Sequence, residues 1–224
     1  MAKRRKKRPT EETLIDLAEA KQSLEGFVEK NQYLIIGAVA LILLSIGGFL
    51  AHKFLYQMPR EVEAQEQIFQ AELQFQRDSF ALALNNPGGG YEGFLDIIDN
   101  YSGTKTANIA KYYAALSYLN LGRYQDAIDH LNKFKESGSI TPTMKFGVMA
   151  DSYAELGDFD KALSNYRKAA NSGDNEVLNP YYLKKLGMLH RRNGDYEKAN
   201  KSFRDILAKY PNSTEATDIE KFIS

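Results

Sequence analysis

One stretch of this chain is apolar on every side, and the rest alternates at helical spacing. From Tyr33 to Ala51 no residue carries a charge. At ~1.5 Å per residue such a run crosses a ~30 Å hydrocarbon layer. Core helices of folded domains rarely stay apolar on all faces for this length. The pattern therefore predicts a transmembrane helix over 33–56. Ahead of it, Leu14, Leu17, Leu24, Phe27 and Val28 recur at helical spacing. Thr10 can cap that helix, and Glu11 and Glu12 suit its amino end. A short helix of this kind lies on the membrane surface or packs on a partner. Pro59 predicts a break between the span and the first helix beyond it.

Beyond residue 60 the apolar positions repeat. Three phrases carry the repeat: Leu121-Gly-Arg-Tyr-Gln-Asp-Ala-Ile128, Leu156-Gly-Asp-Phe-Asp-Lys-Ala-Leu163 and Asn193-Gly-Asp-Tyr-Glu-Lys-Ala-Asn200. Gly122, Gly157 and Gly194 are each suited to end one helix in the left-handed conformation. Asp158 and Asp195 can then cap the next helix. Tyr124, Phe159 and Tyr196 are expected to plug the gap between the two helices. Ala127, Ala162 and Ala199 after each glycine, and Ala115, Ala150 and Gly187 before it, let the helix axes approach closely. These positions resemble the tetratricopeptide repeat, whose period is ~34 residues. The third copy adds Phe203 and Pro211, and the second adds Tyr166 and Ala169. The first adds Tyr118 but carries Leu131 where an aromatic is usual.

A damaged copy precedes these three. Asp78-Ser-Phe-Ala-Leu-Ala-Leu84 echoes Gly157 to Leu163, and Phe94 to Tyr101 echoes Phe203 to Tyr210. Asn85 to Gly90 separates the two echoes and reads as a flexible loop. Its triple glycine lacks the Lys-Ser/Thr of a phosphate loop. The predicted fold is all-α, a single transmembrane helix followed by a tetratricopeptide solenoid. Its parts are a basic arm and amphipathic helix over 1–32, the span over 33–56 and a repeat domain over 60–224. The repeats cover 64–103, 108–141, 143–176 and 180–213, with a capping helix over 214–223. Solenoids need a polar-faced cap at an open end.

Charge changes the picture at one end. The chain is balanced, with Lys+Arg 29 and Asp+Glu 29, but Lys3 to Arg8 is a basic cluster. Positive residues stay in the cytoplasm, which sends the carboxyl side across the membrane. The same cluster also suits a nuclear signal or a lipid or RNA contact. The apolar run exceeds the core of a cleaved signal, and Phe49 spoils a small-x-small site before Ala51, so an uncleaved anchor is expected. Gly37, Ala40, Gly47, Gly48 and Ala51 offer a small face for helix contact in lipid. There is no Cys, hence no disulfide and no thiolate metal site. His52, His130 and His190 lack ligand spacing. No enzyme, metal or cofactor is expected, and no nucleic-acid stripe is seen.

Binding chemistry is then expected on the wall lined by the first helix of each repeat. The candidate residues are Tyr112, Leu116 and Asn120, then Met144, Asp151 and Glu155, then Tyr181, Lys184, Met188 and Arg192. Tyr112 and Leu116 stand where some tetratricopeptide proteins place the Lys and Asn that hold a peptide carboxylate. A wall with Met, Tyr and Leu suits apolar, extended or unfolded client proteins.

The order of basic arm, short helix, span and solenoid resembles the YfgM-type family of ancillary translocon subunits. Its sharpest stretches are Phe27-Val-Glu-Lys-Asn-Gln-Tyr-Leu-Ile-Ile36 and Phe94-Leu-Asp-Ile-Ile-Asp99. The resemblance implies a bacterial inner-membrane protein with a periplasmic repeat domain. It also implies association with the SecYEG translocon and the membrane chaperone PpiD. On that reading the chain is a chaperone-like adaptor for clients emerging from the channel. The alternatives are a scaffold of another cell-envelope machine and, with opposite topology, a holder of a cytoplasmic signalling protein.

Overall fold

The computed structural model describes the backbone of residues 11–223 and the side chains of 21–223. The basic cluster at 3–8, the Thr10 cap and the side chains of Leu14 and Leu17 lie outside the described residues. Every regular element among the described residues is helical. The chain divides into two compact units after Tyr56.

The first unit holds α1, Glu11–Ala51, which runs unbroken for 41 residues. The amphipathic stretch and the apolar run are therefore one helix, because no turn residue interrupts them. Two polar side chains within it bond back to their own helix. Asn31 Nδ2 donates to the Phe27 carbonyl at 2.8 Å, and the Ser45 hydroxyl donates to Leu41 at 2.8 Å. Such local bonds satisfy polar groups without any partner. Among the described residues this is the one helix long and apolar enough to cross a membrane.

No break appears at Pro59. A π-helical segment, His52–Gln57, leads into α2, Met58–Gln76, with Pro59 in its first turn. Pro59 has no N–H to donate, and it falls just after the π turn, where the regular ladder of helix bonds is already interrupted.

The second unit begins with α2 and continues through α3, Phe80–Asn85, α4, Phe94–Asn100, and α5, Lys105–Asn120. Then follow α6, Tyr124–Lys133, α7, Thr141–Glu155, α8, Phe159–Asn171, α9, Leu178–Arg192, and α10, Tyr196–Lys209. A short α11, Thr214–Ile219, and a 3₁₀ turn, Glu220–Phe222, close the described chain. Thus the end expected as one helix over 214–223 is two short pieces. Helices pack in pairs, α5 with α6, α7 with α8 and α9 with α10. Adjacent pairs meet through α6 and α7, then α8 and α9, while α5, α7 and α9 touch in series.

The turns explain the pairing. Gly122, Gly157 and Gly194 have φ of 74°, 78° and 81°. Each is flanked by the same two hydrogen bonds. In the first turn, Gly122 N donates to Leu119 at 3.1 Å and Arg123 N donates to Tyr118 at 2.8 Å. Gly157 with Asp158, and Gly194 with Asp195, repeat that arrangement. These bonds satisfy carbonyls that a helix end leaves open. The damaged copy makes the same turn at Asp78, whose φ is 56°. Asp78 N reaches Phe75 at 3.0 Å and Ser79 N reaches Gln74 at 2.9 Å. Asp is among the few side chains that tolerate this conformation.

Other local expectations divide. Asp158 caps α8 by accepting from Lys161 N. Asp195 does not cap α10. Its carboxylate is instead held by Lys198 at 3.1 Å and faces the buried His190 Nδ1 at 3.5 Å. Burial lowers the His190 pKa, and Asp195 offsets only part of that effect. The aromatics after each glycine also reach beyond their own helix pairs, although Phe159 packs against the second core. Tyr124 donates to Glu155 on α7 at 3.4 Å, and Phe159 lies 4.6 Å under the Arg192 guanidinium on α9. Tyr196 is 59% exposed. These rings sit at the rim, facing the last residue of the next first helix. The loop expected to be flexible is tied to α2, with Gln74 donating to Pro87 O at 3.0 Å and Glu92 N to Gln67 at 3.2 Å.

The small residues are buried where helices cross. Ala115, Ala127, Ala150 and Ala162 are fully buried, and Ala199 is nearly so. One core gathers Leu84, Phe94, Ile97, Ile128 and Leu131, and a second gathers Phe203, Ile206 and Ile219. Gly187 marks a tight crossing of the second core, where an added Cβ would overlap the Phe203 ring. Phe203 is itself fully buried and backed by Phe222, with ring centres 5.9 Å apart. Gly187→Ala would gain up to ~1 kcal/mol of helix propensity. Overpacking against a ring that cannot retreat costs about 1–3 kcal/mol, so the net effect is destabilising. Thermal unfolding of the full chain in detergent, followed by circular dichroism, should show a lower midpoint for the variant.

Candidate functional site

The first helices of the three pairs bring two adjoining clefts to one face of the second unit. The larger, about 620 Å³, is lined mainly by α9 through Tyr181, Lys184, Lys185, Met188, Leu189 and Arg192. Ala154 and Tyr166 form its floor toward the preceding pair, and Glu215 enters from α11. The smaller, about 440 Å³, runs toward α5 and is lined by Leu119, Asn120, Tyr124, Asp151 and Glu155. Ala154, Tyr166 and Lys185 line both clefts, so they form one continuous groove.

Seven of the residues singled out by spacing meet in this groove. Asn120, Asp151 and Glu155 line its α5–α7 end, and Tyr181, Lys184, Met188 and Arg192 its α9 end. Tyr112, Leu116 and Met144 line neither cleft. Tyr112 packs on Phe134, with ring centres 5.7 Å apart, and Leu116 packs against the first core. Burial pushes the Tyr112 phenol up to about 12, so it stays protonated. On α1, Gly37, Gly47 and Gly48 have open space where a Cβ would stand, and Ala40 and Ala51 on that helix are exposed.

Spacing missed the pair at the centre of the groove. Lys185 Nζ donates to Asp151 Oδ1 at 2.7 Å, and the Tyr166 hydroxyl donates to the same oxygen. Lys185 also lies 5.0 Å from the Tyr181 ring centre. Burial disfavours the ammonium, but Asp151 and Tyr181 outweigh it and raise its pKa. For Tyr166, burial first and Asp151 second push the phenol well above its ordinary value. The phenol therefore remains a donor, and both bonds converge on one oxygen of the Asp151 carboxylate. The signal in the sequence was a diagonal one. Lys185 stands three residues before Met188, the position equivalent to Asp151 in the next copy. One turn of helix separates them, which is the reach between neighbouring first helices.

The ends of the groove differ from its centre. Asn120 turns its amide back to the Leu116 carbonyl at 2.8 Å, leaving Glu155 as the charged group at the α5–α7 end. At the α9 end Lys184 and Arg192 flank Met188, which is 41% exposed. Among the described residues no three His, Cys, Asp or Glu side chains gather as ion ligands.

The central pair makes a direct test of the geometry. Asp151→Ala strands a half-buried ammonium and Lys185→Ala a half-buried carboxylate. The double variant strands neither. A double-mutant cycle on chemical unfolding should return a coupling of about 1–3 kcal/mol. Additive effects would mean that the two side chains do not share the groove.

Two comparisons with known proteins bear on this architecture. A family model described as "T7SS, ESX-1 secretion system protein EccA1, N-terminal domain" matches residues 70–220. No curated protein matches the chain. The family match overturns the resemblance to YfgM-type translocon subunits. It likewise removes SecYEG and PpiD as partners, and Sec-dependent translocation as the setting. The physical reason lies in what that resemblance used. A charged arm, a span and paired helices are set by lipid thickness and helix packing, which many anchored repeat proteins share.

Proposed function

We propose that this chain, which belongs to the family of the ESX-1 secretion protein EccA1 N-terminal domain, is a non-enzymatic scaffold of a secretion machine. The match carries the reading because it falls on the helical unit, 70–220, and not on the apolar helix. It favours a machine component over a client-holding adaptor at a Sec channel. The helical pairs act as a tetratricopeptide-type solenoid, and the groove along α5, α7 and α9 holds protein partners belonging to that machine. Support for the solenoid comes from four equivalent left-handed turns and from first helices that touch in series. Support for a binding role over a catalytic one comes from the groove's own electrostatics. Its central acid is engaged within the wall, where Lys185 and Tyr166 both bond Asp151 Oδ1.

The apolar helix anchors the scaffold as a single bacterial inner-membrane span, with the amino terminus in the cytoplasm and the helical unit in the periplasm. The basic cluster at 3–8 favours this direction. Protease added to spheroplasts should then digest the helical unit and spare the arm. Complete protection of the helical unit would place it in the cytoplasm.

Photo-crosslinking in intact cells tests the partner face. A photoreactive residue at Tyr181 or Met188 should capture secretion-machine proteins, and one at Lys201 on the exposed side of α10 should not. Equal capture at all three positions, or none at Tyr181 and Met188, would remove the groove as the partner site.

A further inference from the structure

Lys184, Met188 and Arg192 are spaced by four residues and share one face of α9. Lys184 and Arg192 are therefore ~12 Å apart along the helix, with Met188 midway at ~6 Å. Among the described residues neither cation has a carboxylate at ion-pair distance. Arg192 is steadied from one side only, by the Phe159 ring. Lys185 is cancelled by Asp151, and Glu215 is the remaining carboxylate lining the larger cleft. Two free cations against one carboxylate leave that cleft positive. It is also partly apolar, with Met188 41% and Tyr181 40% exposed.

An extended peptide matches this stripe residue for residue. Its alternate side chains share one face, and each pair of residues advances ~6.6 Å. Side chains at i, i+2 and i+4 thus fall at ~0, ~6.6 and ~13 Å, close to the spacing of the stripe. The cleft, about 620 Å³, suits a short extended segment and is small for a helix of more than two turns. Since this face is read above as the one that holds partners, we propose that Lys184, Met188 and Arg192 recognise an extended protein segment of pattern acid-x-apolar-x-acid. Each carboxylate meets one cation, and the apolar side chain covers Met188 and the edge of Tyr181.

Fluorescence anisotropy on the full chain in detergent tests this with labelled nine-residue peptides. The probe carries Glu-Ser-Leu-Ser-Glu at its centre. Binding should weaken about tenfold when the two acids are moved together as Glu-Glu-Leu-Ser-Ser, and again when Leu becomes Ser. It should weaken steeply from 0.1 M to 1 M salt, as the screening length falls from ~10 Å to ~3 Å. The double variant Lys184→Glu/Arg192→Glu should lose the probe and gain Lys-Ser-Leu-Ser-Lys. If that variant misfolds by circular dichroism, Lys184→Gln and Arg192→Gln singly should each weaken the probe severalfold. Absence of binding at millimolar peptide, equal binding of both spacings, or no exchange of preference on charge reversal would overturn the proposal. So would stronger binding of a helical peptide with the same groups at i, i+4 and i+8. Any of these results with groove crosslinks in cells intact sinks the acidic-segment inference alone. Loss of those crosslinks sinks the partner-groove reading with it.

Discussion

Four backbone positions with positive φ hold the helical unit together. At Asp78, Gly122, Gly157 and Gly194 a first helix ends in a left-handed residue, and two backbone hydrogen bonds fold the chain back. The turn fixes where the second helix begins, so the register of everything after it is set. Ala127, Ala162 and Ala199 are five residues beyond their glycines, and this is why they arrive at the crossing. A residue with a larger side chain at the crossing would push the axes apart. A β-branched residue at the turn would oppose the turn itself, because its left-handed conformation is strongly disfavoured. Asp78 shows how far this requirement can relax, since a short polar side chain still completes the turn.

The same geometry builds the groove. Successive pairs are offset so that α5, α7 and α9 lie side by side, and their last turns present residues to a shared face. At the centre of that face, Asp151 is held by one neighbour on α8 and another on α9. Removing one member of such a network is costly, because it leaves a half-buried charge unpaired. Glu61 plays a comparable part at the other end. Its carboxylate accepts from Lys105 N, Thr106 N and the Thr106 hydroxyl at the start of α5. Burial works against that charge, yet the hydrogen bonds prevail and its pKa is lowered.

Short-range requirements were legible in the sequence. The turn glycines, the small residues at crossings and the apolar span each depend on one residue type at one spacing. Features that depend on competition between partners were not. Asp195 looks like a cap equal to Asp158, but Lys198 and His190 claim its carboxylate. Tyr124 and Phe159 gain partners that spacing does not show, because the next first helix supplies Glu155 and Arg192 at the rim. Within the candidate site, α9 was largely legible because four of its residues share one face. Tyr112 and Leu116 fall outside the clefts because a neighbouring aromatic and the first core absorb that end of the wall. Lys185 was hidden because its contact with Asp151 runs diagonally between helices.

Neither the apolar helix nor the turns identify a family. Lipid thickness dictates the length of an apolar helix, and helix crossing dictates where glycine and alanine recur. Proteins with unrelated partners obey both constraints alike, which is how a resemblance built on segment order pointed to a different secretion apparatus. Lys184, Met188 and Arg192 occupy positions of the groove that the turns and crossings leave unconstrained. These side chains make no contribution to either core, so exchanging them changes the electrostatics of the groove while the turns and crossings stand.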